Sequence, residues 1–599
     1  MDDCRLPSHL ASLNEIEKIL GDPLDKEGMF FTKEVMKRDE YEQYPKEQLD
    51  KMHKAGLTKY FVPKEYGGDL QSCPHCYYLA RSISTRDITA AVTFLLRSIG
   101  NWAVLVAGTE EQKKYCSDAI LNGSGISWGV TEKEFGSDLI SNGTYAEYED
   151  NRYYLTGEKW PIGNCHYNDL IMVLARTSSD EGPSAFSLFC VDKNKLNQAE
   201  LIVLPSEKLY GLRAMDLSGI LLDQCSISPN AIIGDKGEGL EVMLRAQQVN
   251  RAGIVAISTG AMDTALRMTL NYANKRQLFG QSLGQTPVTK LQIVDAFTDL
   301  LLCEAQANFV TRALHLAPKS FFIWAALSKF TVPTLAESAL LQLSDVIGAR
   351  HFMRESFYFG FFQKICRDNL SVGFVDGNKK VNLKNIALHM ELQLNYFNKK
   401  GDAIAPNEEY FSSLFNYFAE LPDVNYEKLG VFSGREDPIL LNFKHSIIML
   451  EEKLIINNIN NTVRFSIIEN AKKALQQFKD LYSELVEKKK QLGKNYNYSP
   501  ESFALAEKYS MLYLAPTCIH MALYSSLTGH FADFIWLDVC LLRVQRLIDP
   551  NLAMPTTEQQ DQMFNLLTRL NDDDLAFTFI PIVLPKSSER FDEAQLFNL

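Results

Sequence analysis

Three short stretches carry residue types that could do chemistry. Cys73-Pro74-His75-Cys76 has the spacing of a disulfide-exchange motif, in which one thiol is acidified at a helix N-terminus. That motif needs a strand leading into it. Here it follows the turn Gly67-Gly68-Asp69 in a helical segment, so helix-start packing is the expected role. Gly123-Ser124-Gly125 with Gly129 offers the glycines of a phosphate cradle, but they precede a strand and no helix opens after them, the reverse of a dinucleotide fingerprint. The third stretch is Thr131-Glu132-Lys133-Glu134-Phe135-Gly136-Ser137-Asp138, where a strand runs into a loop whose hydroxyls, glycine and backbone N–H groups could reach a polar ligand. No P-loop lysine signature, His-Glu-x-x-His pair or Cys/His quartet occurs, so no metal site is expected.

Hydrophobic periodicity outlines the elements that must position these residues. Residues 1–123 have apolar positions at three- and four-residue spacing and read as helical, with Thr89-Ala90-Ala91 and Phe94-Leu95-Leu96 on a buried helix. Residues 124–234 change texture. Short apolar or alternating runs (126–131, 144–148, 153–160, 170–176, 185–191 and 218–222) are divided by polar turns, which predicts an antiparallel or barrel-like β domain. Helical periodicity returns over 235–398, in long striped segments such as 261–278 and 289–316. The polar breaker from Lys399 to Asn407 marks a boundary, and 399–599 reads as a further helical domain. Within it Leu475, Phe478, Leu481, Tyr482 and Leu485 share one apolar face, Glu487 to Lys490 form a solvated face, and Pro516 and Pro550 divide the remainder into about three helices. The expected fold is mainly α with a central β domain.

Composition bounds the function. With 61 Lys and Arg against 74 Asp and Glu, the net charge of −13 makes a nucleic acid or an anionic membrane a poor partner. The 11 cysteines have no framework spacing, which fits a reducing compartment. The first residues lack the pattern of a secretory or transit segment, so a cytoplasmic location is expected. Lys329 interrupts the apolar run 321–332, and Asp533 and Asp538 interrupt 521–542, so no membrane span is expected.

Five motifs, in order, resemble the acyl-CoA dehydrogenase/oxidase flavoproteins over residues 25–395. They are Gly108-Thr109-Glu110-Glu111-Gln112-Lys113 with the Thr131 to Asp138 loop; Gly157-Glu158-Lys159-Trp160-Pro161-Ile162-Gly163-Asn164; Leu209-Tyr210-Gly211-Leu212-Arg213-Ala214 with Ile233 to Gly239; Ala273-Asn274-Lys275-Arg276-Gln277-Leu278-Phe279-Gly280; and Cys366-Arg367-Asp368 leading to Phe374-Val375-Asp376-Gly377-Asn378. The resemblance implies an N-terminal helical domain, a middle β domain and a helical bundle, with FAD as cofactor. It implies α,β-dehydrogenation of an acyl thioester, electrons passing to an electron-transferring flavoprotein or to oxygen, and a homodimer.

Residue by residue, the resemblance places Asp376 as the base that takes the α-proton. It places Trp128, Val130, Thr131, Ile162, Gly163, Gly348 and Asn378 at the cofactor, with Arg276 and Phe279 reaching the FAD diphosphate and adenine of a neighbouring subunit. Ser137, Gly377 and Arg251 fall on the substrate side. The chain departs from the pattern at several points. Asp376 stands where the family usually has Glu, and Asn250 occupies the alternative base position. Lys133, Glu134 and Phe135 replace the usual loop centre, Pro161 takes the usual tryptophan slot, and Gly348-Ala349-Arg350-His351-Phe352 lacks two glycines. These departures are also compatible with a non-catalytic relative that binds flavin or thioester and acts through protein contacts, and the resemblance extends equally to an oxidase that uses oxygen.

Overall fold

The computed structural model describes residues 6–401, 407–592 and 596–597. The part of the expected boundary at 402–406 lies outside these residues, as do Met1 to Arg5. The chain opens with helices α1 Leu13–Leu20, α2 Thr32–Glu40, α3 Lys46–Lys54, α4 Cys73–Ser84, α5 Ile88–Leu95, α6 Asn101–Ala107 and α7 Glu110–Leu121. Local sequence explains their starts. Ser72 caps α4 by accepting from the His75 N–H, with Pro74 in the first turn. Thr109 and Gln112 form a reciprocal capping box at α7. Cys73 and Cys76 are therefore helix-start core residues. Burial pushes the Cys73 thiol up to about 12 and raises Cys76 well above the ordinary thiol value, the opposite of what thiol exchange needs. Gly125 is required by packing, since a Cβ there would meet the Arg97 carbonyl oxygen at 2.6 Å.

The central sheet comprises β1 Ile126–Gly129, β2 Tyr145–Glu149, β3 Arg152–Gly163, β4 Leu170–Arg176, β5 Phe186–Asp192, β6 Leu201–Val203, β7 Leu217–Ile227 and β8 Ile232–Ile233. Their order is β6-β7-β3-β2-β4-β5-β8, with β1 alongside β4. Most pairings are antiparallel, but β1 runs parallel to β4 from Ile126 opposite Leu170 to Gly129 opposite Val173. Along β4 the side chains alternate between two cores. Leu170, Met172 and Leu174 pack with the helices, while Ile171, Val173 and Ala175 join Leu155, Ile162 and Ile220 in a separate sheet core.

Beyond the sheet run α8 Gly239–Lys275, the short hairpin strands β9 Gln277–Leu278 and β10 Gln281–Ser282, α9 Pro287–Leu316, α10 Phe321–Ile347, α11 Phe361–Asn369 and α12 Lys379–Lys400. The last part holds α13 Glu408–Phe415, α14 Pro438–Leu441, α15 Phe443–Ile456, α16 Asn461–Leu492, α17 Pro500–Leu512, α18 Leu514–Tyr524, α19 Ile535–Ile548 and α20 Thr557–Asp572. Four helices rather than three follow residue 500. Pro516 sits in the first turn of α18, where its missing N–H costs nothing, and the extra break falls at Ser525 to Phe534. No helix among the described residues is long and apolar enough to cross a membrane.

Buried ion pairs join the last helices to the rest. Arg543 on α19 grips Asp299 on α9 through two 2.8 Å bonds, and Arg546 grips Asp295 at 2.7 and 2.8 Å. Removing one partner strands a buried charge, which costs about 3–5 kcal/mol. Arg543→Ala is therefore expected to lower the urea midpoint by that equivalent. An unchanged midpoint would mean that apolar packing alone holds α19 to α9.

Candidate active site

The segment carrying Asp376 begins in a buried ionic junction. On α11, Lys364 Nζ donates to Asp87 Oδ1 at 2.9 Å, to Thr89 Oγ1 at 3.0 Å and to Asp368 Oδ2 at 2.5 Å. The other Asp368 oxygen accepts the Leu212 N–H at 2.6 Å. Arg367 donates to Asp39 Oδ2 at 2.5 Å and to the Tyr210 carbonyl at 3.0 Å. A Cβ on Gly211 would meet the Arg367 carbonyl oxygen at 2.5 Å, so this approach requires glycine. The Leu209 to Ala214 and Cys366 to Asp368 motifs are thus partners in space, tied to α2 and α5.

The chain then leaves α11 through the 3-10 turn Leu370–Gly373 and enters a bend with φ +53° at Asp376 and +96° at Gly377. An aspartate tolerates that region at a cost, and glycine adopts it freely. Side chains from three helices hold the bend's carbonyls. Lys329 of α10 donates to Val372 O, Arg251 of α8 donates through Nε to Asp376 O at 3.0 Å, and Asn382 of α12 donates to Gly377 O at 2.9 Å and Asn378 O at 3.0 Å. A Cβ on Gly377 would come within 3.0 Å of Arg251 Nη2, a second reason for glycine there. Asn378 caps α12 by accepting the Val381 N–H at 3.0 Å.

The carboxyl of Asp376 makes no hydrogen bond to any described residue, and neither does its backbone N–H. The residue keeps a part-exposed face. Burial raises its pKa from the usual carboxylate range, and the positive charges of Lys329 and Arg251 pull the other way. On α8, Nη1 of Arg251, the residue that holds the Asp376 carbonyl, lacks a partner among the described residues, as does buried Nδ2 of the preceding Asn250.

The loop after β1 reaches this bend, because Asn378 Nδ2 donates to Ser137 Oγ at 3.3 Å. Glu132 shapes that loop. Its carboxylate accepts from Gly143 N at 2.7 Å, Thr144 N at 2.9 Å and Thr144 Oγ1 at 2.6 Å, and pairs with fully buried Lys159 at 2.8 Å. Burial works to raise the Glu132 pKa, but Lys159 and the hydrogen bonds outweigh it and the net shift is downward. The replaced centre of the motif carries none of this, since Lys133 and Glu134 are exposed. Thr131 is locked to Trp160 by two 3.0 Å bonds. Trp128 stays half-buried, whereas Ile162 turns its side chain into the sheet core, leaving only its backbone for a ligand. Gly163 lies against Leu96, whose Cδ1 is 2.6 Å from where a Cβ would stand.

The structure thus gathers Asp376, Gly377, Asn378, Arg251 and Ser137, and the Trp128 to Thr131 edge leads into the loop that carries Ser137. It does not bring Arg276, Phe279 or Gly348 to them. Arg276 follows Arg251 along α8 by 25 residues, a span of roughly 37 Å at 1.5 Å per residue. Gly348 ends α10, and nearby Arg350 donates to Tyr272 OH at 3.3 Å, so this group lies at the far end of α8. Phe279, at the hairpin tip, is 98% exposed, and the guanidinium of half-exposed Arg276 makes no ion pair or hydrogen bond among the described residues. Residue types alone missed the supports Lys329, Asn382, Glu132 and Lys159. The one available signal was Lys329, a single charge in an apolar run.

Comparison with known proteins matches three domain models in order: acyl-CoA dehydrogenase N-terminal domain over 28–124, middle domain over 127–225 and C-terminal domain over 237–391. An acyl-CoA dehydrogenase of Bacillus subtilis is 28% identical over 54% of this chain and 84% of its own length. The human mitochondrial short-chain specific acyl-CoA dehydrogenase is 28% identical over 52% and 75%. A probable acyl-CoA dehydrogenase of Mycobacterium bovis is 26% identical over 43% of this chain, and the chain spans 66% of that relative, just under two thirds. Among solved structures, an acyl-CoA dehydrogenase of Bacillus anthracis complexed with FAD shares the fold over 94% of this chain and 91% of its own, with TM-score 0.67 and 18% identity. That coverage extends into the helices beyond residue 400. With three domain models matched in chain order over more than half of the residues, this chain belongs to the acyl-CoA dehydrogenase family.

Proposed function

We propose that the chain is an FAD-dependent acyl-thioester dehydrogenase in which Asp376 takes the α-proton. The observation that carries the reading is the bend itself: a carboxyl with no protein partner, pushed toward greater basicity by burial, held by three helices beside the loop that carries Ser137. A carboxylate left free and partly desolvated is poised to accept a proton. The unbonded N–H of Asp376 is available to polarise the thioester carbonyl, which acidifies the α-position as charge develops on that oxygen. The partnerless donors Arg251 Nη1 and Asn250 Nδ2 suit a ligand that brings acceptor atoms.

The donor set also fits FAD, whose chemistry here is to accept the β-hydrogen as hydride. Trp128, Val130 and Thr131, with the backbone of Ile162 and Gly163, would meet its ring system. Asn378 would stand where that region borders the substrate. The unpartnered fork of Arg276 suits a diphosphate and the bare ring of Phe279 suits an adenine. Because these last two, with Gly348, lie at the far end of α8, they would serve a second copy, so the reading includes a homodimer. Electrons would pass to an electron-transferring flavoprotein or to oxygen, and the reading includes a role in fatty acid metabolism in the cytoplasm.

Two outcomes are expected from stopped-flow measurement of anaerobic flavin bleaching by a straight-chain acyl-CoA. Asp376→Asn, which keeps the shape and removes the base, should slow bleaching by about 10²–10⁴-fold. Retention of the full rate with every acyl-CoA tested would dismiss Asp376 as base. In the unaltered protein the rate should fall as pH drops through the raised Asp376 pKa, because only the ionised form accepts the proton. The acid limb should therefore stand above the ordinary aspartate range. A limb at or below the ordinary aspartate value, near 4, would contradict the burial argument.

A further inference from the structure

Lys329 is the least expected residue near the site. It sits on α10 between Ser328 and Phe330, is 1% exposed, and lies within ion-pair distance of no carboxylate among the described residues. Its one hydrogen bond runs from Nζ to the Val372 carbonyl. A carbonyl needs only a neutral donor, so that bond does not explain why a charge is buried here. The surrounding charges do. Arg251 from α8 and Lys379 from α12 disfavour the ammonium, Asp376 and Glu337 favour it, and Asp376 exerts the larger pull of the two. Glu337 is already committed to Lys379 at 2.7 Å. Asp376 is the carboxyl with no other partner.

We propose that Lys329 is a positioning residue for the base: it holds the base-bearing bend by the Val372 carbonyl and keeps the Asp376 carboxyl ionised through its buried positive charge. This role rests on Asp376 being the base. With Arg251 on the Asp376 carbonyl, two buried cations then act on one bend. Lys329 fixes its start and Arg251 its middle, and both oppose the protonation that burial would impose on the carboxyl. The directions are mutually consistent. Burial brings Lys329 down to about 7, so the ammonium persists in the acidic range, where Asp376 most needs a counter-charge. As pH rises and the lysine discharges, Asp376 is ionised by pH alone.

Lys329→Gln retains a donor for Val372 and loses the charge, whereas Lys329→Arg retains the charge. Bleaching rates are measured anaerobically with a straight-chain acyl-CoA series, butyryl to palmitoyl, from about pH 5 to 9. The proposal expects Lys329→Gln to move the acid limb upward by about one unit or more, with the alkaline plateau close to that of the unaltered protein, and Lys329→Arg to leave the limb in place. An unmoved limb in Lys329→Gln, or an equal loss at every pH in both variants, would overturn it and leave only a carbonyl cap. Should Lys329→Gln fail to fold, the Lys329 side chain is titrated by NMR in the unaltered protein and in Asp376→Asn, because the coupling between the two groups is mutual. A Lys329 midpoint lowered by Asp376→Asn supports the proposal, and an unmoved midpoint overturns it. The base reading fails separately: if Asp376→Asn bleaches at the full rate, both ideas fall, whereas an inert Asp376→Asn with an unmoved limb in Lys329→Gln removes only the role of Lys329.

Discussion

A buried ammonium between two carboxylates anchors the architecture of the site. Lys364 joins Asp87, from the start of α5, to Asp368, at the end of α11, and Asp368 in turn holds the backbone of Leu212 in the sheet region. A buried charge without a partner is far more costly than a broken surface contact, so the three parts of the chain that meet here cannot drift apart independently. Burial and the nearby Asp39 raise Asp368, while Lys364 and Arg367 draw it back toward the ionised form. The bend with Asp376 begins a few residues after this anchor and ends at the Asn378 cap of α12. Its freedom is limited at both ends.

The same device recurs where the extra helices meet the rest of the molecule. Arg81 on α4 bonds Glu304 at 2.6 Å and Asp263 at 2.9 Å, and also donates to the Phe577 carbonyl. The N–H of Phe577 returns to Asp263 at 2.7 Å, and Thr578 donates to Glu304 at 2.8 Å. Further on, Phe591 N–H donates to Leu24 O at 2.8 Å, close to the beginning of the chain. The helices beyond 400 are therefore stitched into the helices that carry the site, through α9 at Asp295 and Asp299 and through α4 at Arg81. Their position makes them a buttress for α9, which packs against α8 and α10, two of the three helices whose side chains hold the bend.

Much of the fold was legible because it depends on local periodicity. The six strands with apolar or alternating runs appear where the pattern puts them, as does the helical face of Phe478, Leu481 and Leu485 in α16. The strands β6 and β8, of three and two residues, are too short to show a period. The parallel pairing of β1 with β4 was equally invisible, because β4 is buried on both faces and shows no alternation that would indicate a neighbour's direction. At the site, Asp376, Asn378 and Ser137 were readable as motif positions. The support from Lys329 was not, because its partner Val372 lies 43 residues away and meets it only once α10 and α11 have packed. Ile162 shows the opposite limit: its motif position says that it borders a ligand, but strand alternation sends its side chain to the core.

All of this geometry converges on one carboxyl that has no protein partner and is partly desolvated. The direct measurement is an absorption spectrum of the purified protein followed by anaerobic titration with acyl-CoAs of increasing chain length. The account predicts a yellow protein whose flavin band bleaches with at least one of them. A yellow protein that stays oxidised with every acyl-CoA, or a colourless one that FAD does not reconstitute, would contradict it.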